Sequence, residues 1–123
     1  SHSSVRALAD HSRNMDDEQL LALKANGGVI QTVAFDGYVK LKPPDSPERA
    51  AAIGQLRLEL GLQGGPASQT DATRSEFRRR MAAIDKRFPP APMATVSDFI
   101  DHVDYLVRKI GIEHVGLSSD FDG

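Results

Sequence analysis

Asp16-Asp17-Glu18-Gln19-Leu20-Leu21-Ala22-Leu23-Lys24-Ala25 runs into Asn26-Gly27-Gly28 and then into Val29-Ile30-Gln31-Thr32-Val33-Ala34. The first part is written for a helix. Asp16 is placed to cap it, Gln19 stands three residues on in capping-box spacing, and Asp17 and Glu18 suit the positive end of the dipole. Leu20 and Leu23 supply the stripe to be buried, with Leu21 to the side. Asn26-Gly27-Gly28 ends the helix, because Asn and Gly tolerate the left-handed backbone of a C-terminal cap. Val29 to Ala34 is β-branched and mostly apolar, the pattern of a strand covered on both faces in a parallel sheet.

The same order recurs near the end of the chain. Phe99, Ile100, Val103, Leu106, Val107 and Ile110 hold helical spacing after Ser97, which reads as the cap. Gly111 closes that helix, and Ile112 to Leu117 form a second strand. Alternating helices and strands predict parallel pairing through right-handed crossovers. Two parallel strands do not bury their own faces, so the chain reads as α/β, a piece of a barrel or of a doubly wound sheet. Its strands begin more than 80 residues apart, whereas a barrel repeat takes roughly 30.

The surplus, residues 40–92, leaves from the carboxyl end of the Val29–Ala34 strand, which in a barrel is the active-site face. Pro43-Pro44-Asp45-Ser46-Pro47 is a turn with Ser46 as N-cap and Pro47 at the first helical position. One helix then runs to Leu60 on Ile53, Leu56 and Leu60, and Gln63 to Thr70 is a loop. A further helix spans Asp71 to Arg87 on Phe77, Met81 and Ile84, with Pro89-Pro90 as its stop. This helical insertion is expected to cover a site.

Composition narrows the classes of function. Among 123 residues, 15 Lys and Arg stand against 17 Asp and Glu, a net charge of −2 that excludes nucleic-acid binding by bulk charge. No apolar run approaches the roughly 20 residues of a membrane span. The absence of Cys excludes disulfides and thiolate metal sites and leaves the compartment undetermined. Ser1 to Ser4 carry no initiator Met and no signal-type segment, and Asp120-Phe121-Asp122-Gly123 comes just after a short apolar run and two serines. Both ends are expected to be cut from a longer sequence at functional loops.

Several residues invite two interpretations. His2, between small hydroxyl residues, is either an ordinary polar surface group or a metal ligand at a strand end. Asp120 reads equally as a turn residue and as a carboxylate doing acid–base or amine-holding work at a strand terminus. In His11-Ser12-Arg13-Asn14, Asn14 reads as a cap, and Arg13 is either solvated or forked onto a substrate carboxylate. His102 falls on a charged helical face and is expected in solvent, and His114 is expected to be structural. Arg78-Arg79-Arg80 reads as a solvated face, with Glu76 facing Arg80. No P-loop, G-x-G-x-x-G, G-x-S-x-G or H-E-x-x-H motif is present.

Taken in order, Ser1-His2-Ser3-Ser4, His11-Ser12-Arg13-Asn14, the capped helix, Asn26-Gly27-Gly28 and Asp120-Phe121-Asp122-Gly123 resemble the renal (membrane) dipeptidase family of zinc metallopeptidases. The resemblance covers the chain apart from its middle. It implies a (β/α)8 barrel, of which this chain would hold the end of strand six through strand eight, and two zinc ions at the carboxyl face. It implies that His2 ligates one zinc, that Arg13 contacts the dipeptide, and that Asp120 contacts substrate near the scissile amide. Tyr38 would line the same pocket. Ser12 stands where the family usually has Pro, and the family's other zinc ligands would lie upstream of residue 1. The implied reaction is hydrolysis of a dipeptide by a water acidified between two zinc ions. The insertion would border the pocket or an interface between two copies. Two other classes remain open: a metal-dependent hydrolase of a lactone or cyclic amide on the same barrel, and an inactive barrel fragment or interaction module.

Overall fold

His2–Ser3 (β1), Ile30–Val33 (β2) and Val115–Ser118 (β3) lie side by side as a parallel sheet in the order β1-β2-β3. The structure is a computed structural model that describes residues 2–65 and 69–119. Apolar pattern marks two of these strands; the third, two residues that include His2, falls where the sequence reading put the end of a strand. Ile30 pairs with Val115 and Val33 with Ser118, while His2 pairs with Gln31 and Ser3 with Thr32. Parallel neighbours need long crossovers. Asp17–Ala25 (α1) supplies the first, and the connection from β2 to β3 returns through Val96–Ile110 (α5).

The helix boundaries follow from side-chain chemistry at their ends. Asp16 caps α1 and closes a capping box with Gln19. Helix α5 starts earlier than Ser97 suggested. Thr95 is its cap, accepting the Asp98 N–H at 3.1 Å, while Asp98 accepts the Thr95 N–H at 2.8 Å. The Thr95 N–H and hydroxyl, ahead of the Lys40 ammonium, hold the Asp98 carboxyl below its usual range. Val96 lies inside the first turn yet is exposed, which is why apolar spacing alone puts the start too late. Ile100, counted in the stripe from its spacing, is also exposed. At the other end Ile112–His114 forms a 3-10 turn, so β3 begins at Val115. The His114 ring bonds the Gly28 carbonyl at 2.8 Å, a structural role as expected. An unanticipated single turn, Asp36–Val39 (α2), follows β2 directly.

Val5, Leu20, Ile30, Leu106 and Ile110 are fully buried together, with Met15, Leu23, Tyr105 and Val115 packed against them. Burying each such aliphatic side chain contributes about 1.5–3 kcal/mol. Asp17 ties α1 to α5, accepting from the Tyr105 hydroxyl at 2.6 Å and pairing with Lys109 at 2.7 Å. Lys109 first, then Tyr105, holds the Asp17 carboxyl below its ordinary value.

The chain divides into two compact units, residues 1–42 with 92–123, and residues 43–91. The second is a pair of helices, Pro47–Glu59 (α3) and Asp71–Arg87 (α4). Ser46 caps α3 with Pro47 in its first turn, as the Pro-rich turn implied. Arg49 is buried between the two helices. It pairs with Asp45 at 3.0 Å and Asp85 at 2.7 Å and donates to the Phe88 carbonyl at 2.8 Å. Glu76 pairs with Arg79, not Arg80, and Arg80 reaches across to Glu59. Among the described residues no helix is long and apolar enough to cross a membrane.

Candidate functional site

Ligands of parallel sheets gather beyond the carboxyl ends of the strands, so the residues leaving β1 and β2 matter most. The chain leaves β1 into a tightly bonded loop. Met15 N–H donates to the Ser4 carbonyl at 3.0 Å, Arg6 N–H to Met15 at 2.9 Å, and Asn14 N–H to His11 at 2.9 Å. The Ser3 hydroxyl donates to the Arg13 carbonyl at 2.7 Å, so the residue beside His2 holds the backbone of Arg13. The Arg13 N–H donates to His11 Nδ1 at 3.1 Å. The loop's conformation is therefore over-determined, although its Arg13 side chain is exposed.

The chain leaves β2 through Phe35 into the turn α2, which carries Tyr38. The Tyr38 ring lies 4.8 Å from both the His11 and the Phe35 rings, tilted against each. The Arg13 guanidinium sits 5.9 Å from the Tyr38 centroid, at the edge of cation–π range. Arg13 and Tyr38, paired as substrate contacts in the sequence reading, are thus brought together by loops from neighbouring strand ends. Phe35 and His11 complete the cluster, and neither was singled out for it. Their signal was positional, since one follows a strand and the other sits two residues before Arg13.

Asn14 does not cap α1. It is buried, accepting the Ser4 N–H at 3.2 Å and donating to the Ala9 carbonyl at 2.9 Å and the Tyr38 carbonyl at 2.8 Å. Helix capping is left to Asp16, which stands directly before the first helical residue. His102 is likewise not on a solvated face. It is 1% exposed, and its ring bonds the backbone of Val5 at 3.0 Å and Val39 at 2.8 Å. Desolvation in this site pushes its pKa down, against smaller opposing effects of the Val39 carbonyl and of Asp101 and Asp98. Four- and eight-residue steps from His102 reach Leu106 and Ile110, both core residues, and that spacing was the available signal. Below Tyr38, Asp36 accepts the Ala94 N–H at 2.5 Å and pairs with Lys42. The Ala94 bond first, and Lys42 second, holds its carboxyl below the usual range.

His2 is exposed on β1, level with Gln31 and Gly116 across the sheet. Gly116 makes room on that rung for the Gln31 amide, because a Cβ there would come within 2.5 Å of the Gln31 amide oxygen. Asp120 lies outside the described residues. Among the described residues no group of three His, Cys, Asp or Glu side chains is placed to hold a metal. A tight zinc site needs three or four donors, so His2 does not make one with the neighbours described.

The membrane dipeptidase model (peptidase family M19) matches residues 1–123. An uncharacterized dipeptidase of Schizosaccharomyces pombe is 28% identical over 123 residues, all of this chain and 18% of that protein. Dipeptidase aclJ of Aspergillus oryzae gives the same identity and coverage. The chain therefore spans less than a fifth of the length of these curated relatives. Among solved structures, the probable dipeptidase PvdM from Pseudomonas aeruginosa superimposes with a TM-score of 0.55 at 31% identity, over 98% of this chain and 32% of PvdM. The chain belongs to the membrane dipeptidase family.

Proposed function

We propose that this chain is the substrate-recognising part of a zinc dipeptidase that hydrolyses the peptide bond of free dipeptides. In this reading it forms the end of strand six through strand eight of a (β/α)8 barrel. The observation that carries the proposal is the placing of Arg13 beside Tyr38 on two hydrogen-bonded loops at adjacent strand ends. A guanidinium fork pairs bidentately with a carboxylate. A dipeptide has its carboxylate one residue from the scissile bond, so a cation fixed at that distance selects dipeptides over longer chains. Tyr38 and His11 give the substrate an aromatic wall beside that cation. Asp120, two residues beyond β3 in the sequence, would orient the scissile amide or carry a proton to the departing nitrogen. His2 would lend one imidazole to a zinc whose remaining donors lie elsewhere. Bound zinc supplies Lewis acidity toward water and the substrate carbonyl.

The test is steady-state kinetics of the complete enzyme on a dipeptide and on its C-terminal amide. Arg13→Lys should chiefly raise KM for the dipeptide, by about 1.5–3 kcal/mol of lost charge-assisted bonding, and narrow its advantage over the amide. Asp120→Asn should mainly lower kcat, because an amide cannot carry the proton. An unchanged preference for acid over amide in Arg13→Lys would remove Arg13 from the carboxylate site. Turnover of lactones with none of dipeptides would refute the dipeptidase reading itself.

A further inference from the structure

Two buried side chains perform the same task side by side. Asn14 accepts the N–H of Ser4 and donates to the carbonyl of Tyr38. His102 meets the next residue on each strand of chain, the N–H of Val5 and the carbonyl of Val39. A backbone N–H only donates, so Nδ1 of His102 is the acceptor. The ring hydrogen of the neutral imidazole then resides on Nε2, which donates to Val39. An amide and an imidazole thus form parallel bridges from two consecutive N–H groups after β1 to two consecutive carbonyls in α2. Both residues are about 1% exposed. Neither bridge is part of the sheet ladder, and between β1 and β2 that ladder is only two residue pairs long. The bridges therefore extend the contact between the two segments beyond the point where strand pairing ends.

We infer that Asn14 and His102 are a pair of positioning residues that set the Tyr38 turn in register with the loop bearing Arg13 and with the strand end bearing His2. What they position rests on the dipeptidase reading; the bridges do not. His102 acts from α5, so the helix that fills the core also sets the geometry at the sheet's carboxyl end. Its two bonds serve different halves of the site. Val5 follows His2 by three residues, and Val39 follows Tyr38 by one.

Two conservative substitutions separate those halves. The amide oxygen of His102→Asn falls near the Nδ1 position and keeps an acceptor for Val5, while the bond to Val39 is lost. The amide nitrogen of His102→Gln falls near Nε2 and keeps a donor for Val39, while Val5 is released. In the complete enzyme, His102→Gln should lower kcat and zinc content about 10-fold with KM little changed, the size of effect seen when a ligand's support is removed. His102→Asn should instead raise KM, again by about 10-fold, since Tyr38 and the carboxylate pocket lose their alignment. Amide hydrogen exchange reads the bridges without reference to activity. The Val5 N–H should exchange faster in His102→Gln and remain protected in His102→Asn. Nitrogen chemical shifts of His102 in the unaltered protein should show a hydrogen on Nε2 and a bare Nδ1.

Equal exchange of Val5 in both variants, or the opposite tautomer, overturns the inference even where the enzyme works. Equal losses of active protein with identical KM would reduce His102 to a folding role and also overturn it. An unaltered protein without dipeptide turnover, but with the expected tautomer and exchange pattern, would retain the bridges and refute the dipeptidase reading.

Discussion

Single side chains decide how much of this site can be read in advance. Arg13 could be singled out because a guanidinium fork suits a carboxylate, whereas Tyr38 was named only through the family resemblance, and their closeness is a finding of the structure. The roles of Asn14 and His102 were not legible, because polar residues next to a helix or on its charged side usually meet water. Their burial depends on backbone groups 24 and 97 residues away in sequence, and local pattern carries no record of such partners. His2 gives a direct test at this scale. In the complete enzyme His2→Ala should lower zinc content and activity together, because losing one donor opens the coordination shell and misplaces the others. Metal analysis by mass spectrometry decides the matter. Two zinc ions per chain retained in an active variant would make His2 an ordinary surface residue.

At the level of elements, legibility followed the strength of the end signals. α3 and α4 lie where Ser46-Pro47 and Pro89-Pro90 placed them, and α1 ends where Asn26-Gly27-Gly28 required. The start of α5 was misplaced because apolar spacing outweighed a better cap. Thr95 with Asp98 satisfies two backbone donors reciprocally, whereas Ser97 lies within the first turn. The difference has a measurable size. Thr95→Ala should destabilise by about 1 kcal/mol, and Ser97→Ala by much less. Urea unfolding followed by circular dichroism at low protein concentration compares them, and equal losses would contradict the cap assignment. The turn α2 escaped notice because four residues carry no periodicity. Its position is set from outside, by Asn14 and His102 above and Ala94 below.

For the molecule as a whole, the sheet's composition has the widest reach. Parallel order was predictable from alternating helices and strands, but His2–Ser3 is too short to be recognised as a strand from its own residues. In the described sheet, β1 and β3 each have a neighbour on one side only. Leu117 on β3 is two-thirds exposed. Such an arrangement is directional, with one outer strand offering its free side to the right and the other to the left. Two copies that joined through unlike borders would leave a fresh pair of borders at the ends of the stack, and a third copy would find the same invitation as the second. Isolated at 123 residues, the chain should therefore associate without a stopping number. Light scattering should show a mean mass that climbs with concentration and never levels at two, and a single sharp dimer at every concentration would contradict this. Any stretch of polypeptide that sealed one border would change the outcome from a growing filament to a finite object.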